Sequence, residues 1–366
     1  MRKIIAQHAP TWVFLLVGLL TVAVYFPGLT GDYMFDDTSN LLNNKALAIQ
    51  SLNTQELTSA AFSSHSGTLQ RPISMLSFAL NRHFFGIDPY SHKVINLIIH
   101  LLTGGGLFIL GRLLLQSYRH HRNPQLSPAI VAWLPAVITG LWLVHPLNLT
   151  SVLYIVQRMT SLSALFTVLG LCLYVLGRRR MLAGAHGLPW ILAGLLVFGG
   201  LATFSKENGV LLPLFMLVIE ATLFRFRTAA GATDRTIGAF FLLTLALPAV
   251  LVMVYLAINP SSFLNYSIRD FTLAERLLTE GRVLVFYLKM TLMPSIQELG
   301  LYHDDFSISR GLLDPPETLY SLLSLAGLLL LGLLLHGKRP LVSLGILWFF
   351  AGHALESTIF PLEIAH

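Results

Sequence analysis

The sequence predicts an all-α polytopic membrane protein, a bundle of about nine transmembrane helices. Three observations predict it. Hydrophobic residues make up 54% of the 366 residues and charged residues only 11%, against about 25% charged in a soluble globular domain. The mean hydropathy is +0.69. The apolar residues run in continuous stretches that can cross a bilayer as helices. They do not alternate as the strands of a membrane β-barrel do. This composition excludes a soluble enzyme, a disordered tail and a nucleic-acid-binding module. No nucleic acid partner is expected, despite a net charge of +6.

The first apolar stretch, 5–26, follows Met1-Arg2-Lys3. Pro27-Gly28-Leu29 comes after it where a signal peptide would carry small residues for cleavage, so it reads as a retained helix. Further spans are read at 94–115, 128–146, 160–177, 188–205, 209–225, 237–258, 317–336 and 341–355. A weaker segment, 275–295, carries Glu275, Arg276, Glu280, Arg282 and Lys289. That charge is costly in a span facing lipid, so the segment reads as a helix at the interface or tucked against the bundle. The single cysteine, Cys172, lies in an apolar run, which leaves no disulfide framework and no Cys-based metal site.

Charge sets the orientation. With the N-terminus in the cytoplasm, the cytoplasmic ends hold Arg2, Lys3, Arg112, Arg119, Arg122, Arg178, Arg179, Arg180, Arg225, Arg227, Arg235, Lys338 and Arg339. These are 13 of the 24 basic residues, and only Glu220 and Asp234 of the 18 acids fall there. Basic residues collect on the cytoplasmic side, which fits this topology. Two long loops, 27–93 and 259–316, then lie on the other face. Loops of that length, rich in ionisable groups, usually carry function. Short interfacial helices are expected in them.

The clusters that could carry chemistry all fall on that face. Asp36-Asp37 stand about ten residues beyond the first span. Repulsion between adjacent acids raises one pKa, which suits a carboxylate that takes a proton. An acidic turn in a solvated loop is the plainer reading. His92, Asn96 and His100 recur every four residues, so they share a helix face that should turn to the protein interior or a wet cavity. A metal on His92 and His100 is a weak alternative. His145-Pro146, Gln157-Arg158 and Lys206-Glu207 sit at span ends, where interfacial anchoring is the rival role. Arg71, Arg269, Glu275, Arg276, Arg282 and His303 follow, then Glu356-Ser357, Pro361-Leu362-Glu363 and His366. Arginine suits a phosphate clamp.

The order Phe35-Asp36-Asp37, Arg71-Pro72, Asn96 to His100, His145-Pro146, Gln157-Arg158-Met159-Thr160, Ser205-Lys206-Glu207 and Glu356 to Glu363 resembles the membrane domain of GT-C-fold glycosyltransferases. It is similar to the branch of O-mannosyltransferases that carry tetratricopeptide repeats, and to their bacterial relatives. The resemblance implies a single transmembrane domain over 1–366 and a sugar donor on a polyprenyl phosphate. The acceptor would be a hydroxyl on a protein or glycan outside the cytoplasm, and transfer would invert the anomeric carbon. Asp36 or Asp37 would be the general base. Arg71, Arg158, Lys206 and Arg276 would hold the donor phosphate. His92, Asn96, His100, His145, Gln157, Glu207, His303 and Glu356 would support the site. No cofactor is expected, with a divalent ion on Asp37 left open.

The chain departs from that family at Asn148-Leu149-Thr150-Ser151, where an acid often follows His-Pro. It has no repeat region and stops at His366, inside a motif that continues in the family, so a C-terminal continuation is expected. A bacterial inner membrane with a periplasmic site is the expected setting. A transporter of the same lipid-linked sugar and a non-catalytic scaffold are the rival functions. A transporter would place its polar residues at mid-membrane in paired, broken helices.

The topology has a direct test. Cysteines at Ser64 and Gly184, in a chain lacking Cys172, should react with an impermeant thiol reagent from opposite sides of the membrane. Reaction from one side alone would contradict the topology.

Overall fold

A computed structural model describes residues 2–259, 266–267, 269–300, 306–360 and 364, with side chains from residue 9 onward. His303, Pro361-Leu362-Glu363 and His366 lie outside the described residues. The described chain is helical, with two isolated β-bridges and no strand. Among the described residues, seven helices are long and apolar enough to cross a bilayer, and eight if one bent pair counts as a span. The expected ninth span, 341–355, is the helix Pro340–Gly352. Its 13 residues reach about 20 Å, short of the roughly 30 Å hydrocarbon core. The chain is thus a multi-pass all-α membrane protein, as its sequence predicts.

Contacts gather the chain into two compact units, Met1–Leu212 and Pro213–His366. In the first unit, α1 (Arg2–Tyr25) runs into a 3-10 turn at Phe26–Thr30. Loop one then folds around an apolar core of its own. Helix α2 (Thr54–Ala61) is capped by Asn53, whose side chain accepts from the Glu56 N–H at 2.8 Å. Helix α3 (Pro72–Phe85) starts on Pro72, whose missing N–H costs nothing in a first turn. Leu41, Leu47, Ile49, Ala60, Met75, Phe78 and Ala79 pack with Ile155 and Met159. The short helices expected in this loop are there, anchored on the segment that opens a later span.

Helix α4 (Pro89–His121) begins at Asp88, which caps the Tyr90 and Ser91 N–H groups. It is 33 residues long, about 50 Å, and extends beyond the span read at 94–115. Helix α5 (Pro128–Leu143) bends by 55° into the segment Pro146–Leu153, which includes α6 (Leu149–Leu153). The bend falls at His145-Pro146, because a residue before proline is driven out of the helical region; His145 has ψ of 130°. Helix α7 (Arg158–Leu182) packs on α4 and α5 packs on α4. Gly104 lets α5 come close: a Cβ there would lie 2.6 Å from a methyl of Leu143. The span Leu188–Ser205 follows, and the chain turns at Lys206, whose backbone is extended.

The second unit holds the spans Arg235–Ile258 and Glu317–Leu335. The weak segment forms a helix, Leu273–Leu292, started by a capping box between Thr272 and Glu275. It does not qualify as a span, as its charge load implied. It packs on Glu317–Leu335, with Gly281 against Leu322. Its buried face carries Arg276 and Glu280, paired at 3.1 Å.

Ser64 is only 4% exposed and bonds Ser66. Gln55 and Ala185 are exposed; as labelling positions, Gln55 replaces Ser64, and Ala185 replaces Gly184, whose φ of +77° would strain a cysteine.

Candidate active site

The acidic motif is a tight strap. Met34 O accepts from the Asp37 N–H at 2.9 Å, and Phe35 O from the Thr38 N–H at 3.1 Å. Phe35 is forced to φ +44°, a conformation costing a bulky residue about 1–3 kcal/mol. This turn sends the two neighbouring acids in different directions. Asp37 is fully buried, and Asp36 is exposed.

The Asp37 carboxylate is an anchor. One oxygen accepts from the Met34 N–H at 3.1 Å and the other from the Val156 N–H at 2.7 Å. Burial pushes its carboxyl above the usual range, while these N–H groups and nearby Lys93 pull it back down. The rise therefore comes from burial and not from repulsion by Asp36. A buried carboxylate with both oxygens engaged presents no face to a divalent ion. Burial likewise pushes the neighbouring Tyr33 hydroxyl up to about 12. Among the described residues the Asp36 side chain makes no hydrogen bond or ion pair. Its backbone N–H donates to the Tyr154 hydroxyl at 3.1 Å, and its carbonyl accepts from Ser39 and Asn40.

Arg158 is enclosed. Its Nε donates to Asn96 Oδ1 at 2.8 Å. Its Nη atoms donate to Asn81 Oδ1 at 2.7 Å, His92 O at 3.0 Å and Ser77 O at 3.2 Å. The guanidinium carbon lies 4.5 Å from the centre of the Phe78 ring. No part of the residue reaches the surface, which is not how a phosphate clamp is presented. Asn96 completes the junction by donating to the Val152 and Ile155 carbonyls. His92 and His100 point to different backbone carbonyls, Asp88 at 2.8 Å and Leu143 at 2.9 Å.

Two further cations meet the same segment. Lys206 Nζ donates to Thr160 Oγ1 at 3.2 Å, and Thr160 donates on to Gln157 Oε1 at 2.7 Å. Arg71 pairs with Glu207 at 3.0 Å and touches the Met159 sulfur at 3.3 Å. Gln70 and Arg71 both have positive φ, +57° and +46°. Among the described residues of this unit, every non-glycine residue with positive φ thus lies beside Asp36 or at Arg71. The second Glu207 oxygen is buried without a hydrogen-bond partner among the described residues, and Gly67 packs directly on it.

The segment 154–160 therefore gathers Asp36, Asp37, Arg71, Gln157, Arg158 and Lys206, with Glu207 held through Arg71. Other expected members are held by contacts of their own. His145 caps its own turn by accepting from the Leu147 N–H. Arg276 and Glu356 belong to the second unit. There the buried Arg276 donates to the Glu356 and Thr358 carbonyls at 2.7 and 3.1 Å. The sequence places Lys93 beside His92 and Tyr154 beside Gln157-Arg158 without giving either a role in the site. Lys93 is 2% exposed, donates to the Asp32 carbonyl at 3.3 Å and faces the Asp37 charge. A lysine placed among the polar residues that open an apolar helix was the available signal.

Two stability differences are expected from detergent-solubilised protein unfolded by heat or denaturant. Asp37→Asn puts an amide NH₂ against a backbone N–H and should cost about 1–3 kcal/mol, while Asp36→Asn should cost almost nothing. Arg158→Ala removes the donor from three buried acceptors and one part-buried one and should cost about 3 kcal/mol or more. Equal stability of all three variants with the native chain would contradict these assignments. The sign of the pH dependence follows from Asp37. Its raised folded pKa means that its contribution is greatest below the ordinary aspartate range and falls as pH rises through the raised value. Asp37→Asn should flatten that slope.

Comparison with known proteins finds relatives named as protein O-mannosyl-transferases. The protein O-mannosyl-transferase TMTC4 of Homo sapiens is 29% identical over 214 residues, 55% of this chain and 28% of that protein. TMTC3 of Homo sapiens is 26% identical over 204 residues, 54% of this chain and 20% of that protein. The protein O-mannosyl-transferase F38B6.6 of Caenorhabditis elegans is 25% identical over 197 residues, 52% of this chain and 25% of that protein. No protein-family model matches the chain, and no solved structure matches it. The chain is thus similar, over about half its own length and less than a third of theirs, to animal proteins named as protein O-mannosyl-transferases.

Proposed function

We propose that this chain is a membrane glycosyltransferase that moves a sugar from a polyprenyl-phosphate donor to a hydroxyl acceptor. Mannose and a protein Ser or Thr hydroxyl follow from the names of its relatives. The observation that carries the reading is the exposed Asp36 carboxylate, fixed on a strained strap beside a segment that also gathers Lys206 and Arg71. Asp36 takes the proton from the acceptor hydroxyl. The oxygen attacks the anomeric carbon from the side opposite the phosphate. The bond from that carbon to the phosphate oxygen breaks, the electron pair leaves with the phosphate, and the configuration inverts. Positive charge belongs where that negative charge develops.

Lys206 and Arg71 are assigned to the leaving phosphate, with Glu207 as the partner that holds Arg71. Arg158 is reassigned from phosphate binding to bracing the segment, because it is enclosed. The setting proposed is a bacterial inner membrane with the N-terminus cytoplasmic and the strap in the periplasm, from the charge asymmetry.

The reading is tested in vesicles containing the full chain, polyprenyl-phosphate mannose and a Ser/Thr-rich peptide. Asp36→Asn should abolish transfer in a folded protein. Lys206→Ala should lower turnover by an amount equivalent to about 2–4 kcal/mol, if its contact tightens in the transition state. Movement of intact donor across the bilayer, with no sugar transferred by the native chain, would favour a transporter. Unchanged transfer by Asp36→Asn would remove it as the base. Lys206→Ala with unchanged turnover per folded molecule would remove Lys206 from the site.

A further inference from the structure

Three consecutive residues of the strap are met by one short stretch of chain. The Phe35 ring lies edge-on to the Tyr154 ring, with centroids 6.4 Å apart at 84°. The Asp36 N–H donates to the Tyr154 hydroxyl oxygen at 3.1 Å. The Asp37 carboxylate accepts from the Val156 N–H at 2.7 Å. Tyr154 is itself fixed. It is 9% exposed, and its own N–H donates to the Thr150 carbonyl at 3.1 Å as α6 ends.

These contacts divide the work. Asp37 ties the end of the strap to the Ile155–Gln157 turn, and the Thr38 N–H holds the carbonyl side of the peptide before residue 36. That peptide carries the N–H that Tyr154 accepts. Holding it restricts the φ of Asp36, and with it the direction in which the Asp36 side chain leaves the backbone. The preceding φ, at Phe35, is +44°, which a bulky residue keeps only when its surroundings impose it. The edge-on Tyr154 ring and the hydroxyl add to the restraint that the Asp37 and Thr38 N–H bonds already impose.

We infer that Tyr154 is a positioning residue for Asp36, holding its carboxylate turned outward at the site. The inference rests on the reading of Asp36 as the general base. Phenylalanine at this position would keep the ring packing and lose the hydroxyl that the Asp36 N–H meets. The Asp36 N–H, on an exposed residue, would then bond water at little cost to the fold. Phe35 would relax toward an ordinary φ, and the carboxylate would leave its working direction. A misplacement of about 1 Å lowers a positioned reaction by roughly a hundredfold.

The experiment uses the full chain in vesicles with polyprenyl-phosphate mannose and a Ser/Thr-rich peptide. Tyr154→Phe should lower kcat roughly ten- to a hundredfold. The donor KM and the thermal midpoint should stay at the native values. Added to Asp36→Asn, it should lower the residual rate no further, because it acts through that carboxylate. Native kcat in Tyr154→Phe, beside an inactive Asp36→Asn, overturns the positioning role and leaves the base in place. A parallel fall in thermal midpoint, or the same further loss in the Asp36→Asn background, overturns it as well. Native transfer by Asp36→Asn removes the base, and the inference with it.

Discussion

A positive charge enclosed with no carboxylate among its hydrogen-bond partners is the constraint around which the first unit is arranged. Arg158 is surrounded by the oxygens of Asn96 and Asn81, the carbonyls of Ser77 and His92, and the face of Phe78. A buried charge is tolerated only when dipoles and hydrogen bonds replace the water it has lost. Those replacements come from α3 and α4, while Arg158 itself opens α7. The charge therefore fixes three helices to one another. It also fixes the turn just before it, where Asn96 donates to the Val152 and Ile155 carbonyls.

That turn is what makes the strap informative. Its Val156 N–H is free to serve Asp37, and its Tyr154 hydroxyl serves Asp36. Two neighbouring acids thus receive opposite environments from one rigid segment. The buried acid spends its charge on holding the loop. The exposed acid is left without a partner among the described residues, which is the state a proton acceptor needs. The strain at Phe35, Gln70 and Arg71 lies in the same place. Backbone held in unfavourable conformations persists where surrounding contacts over-determine it.

The membrane architecture was legible in the sequence because lipid imposes one requirement on long runs of residues. Continuous apolar stretches marked the spans, and the charges of 273–292 marked the helix that is not one. The stripe His92, Asn96 and His100 was legible as an inward face, and all three are buried. The last apolar stretch, 341–355, forms the shorter helix Pro340–Gly352. The site was legible as a set of residues and not as a set of roles. Asp36 and Asp37 are the same residue type at adjacent positions, and only the backbone turn at Phe35 separates them. Arg158 looked like a phosphate clamp because a cation at a span end usually faces outward. Its acceptors are 62 to 81 positions away in the chain, and no local pattern reveals that they converge.

The most direct measurement is a cryo-electron microscopy map of the full chain in lipid nanodiscs with a polyprenyl-phosphate sugar bound. The account predicts sugar density against the outward Asp36 carboxylate and phosphate density within reach of Lys206, with Arg158 and Asp37 still enclosed. A headgroup bound away from the strap, or a phosphate held directly by Arg158, would contradict it.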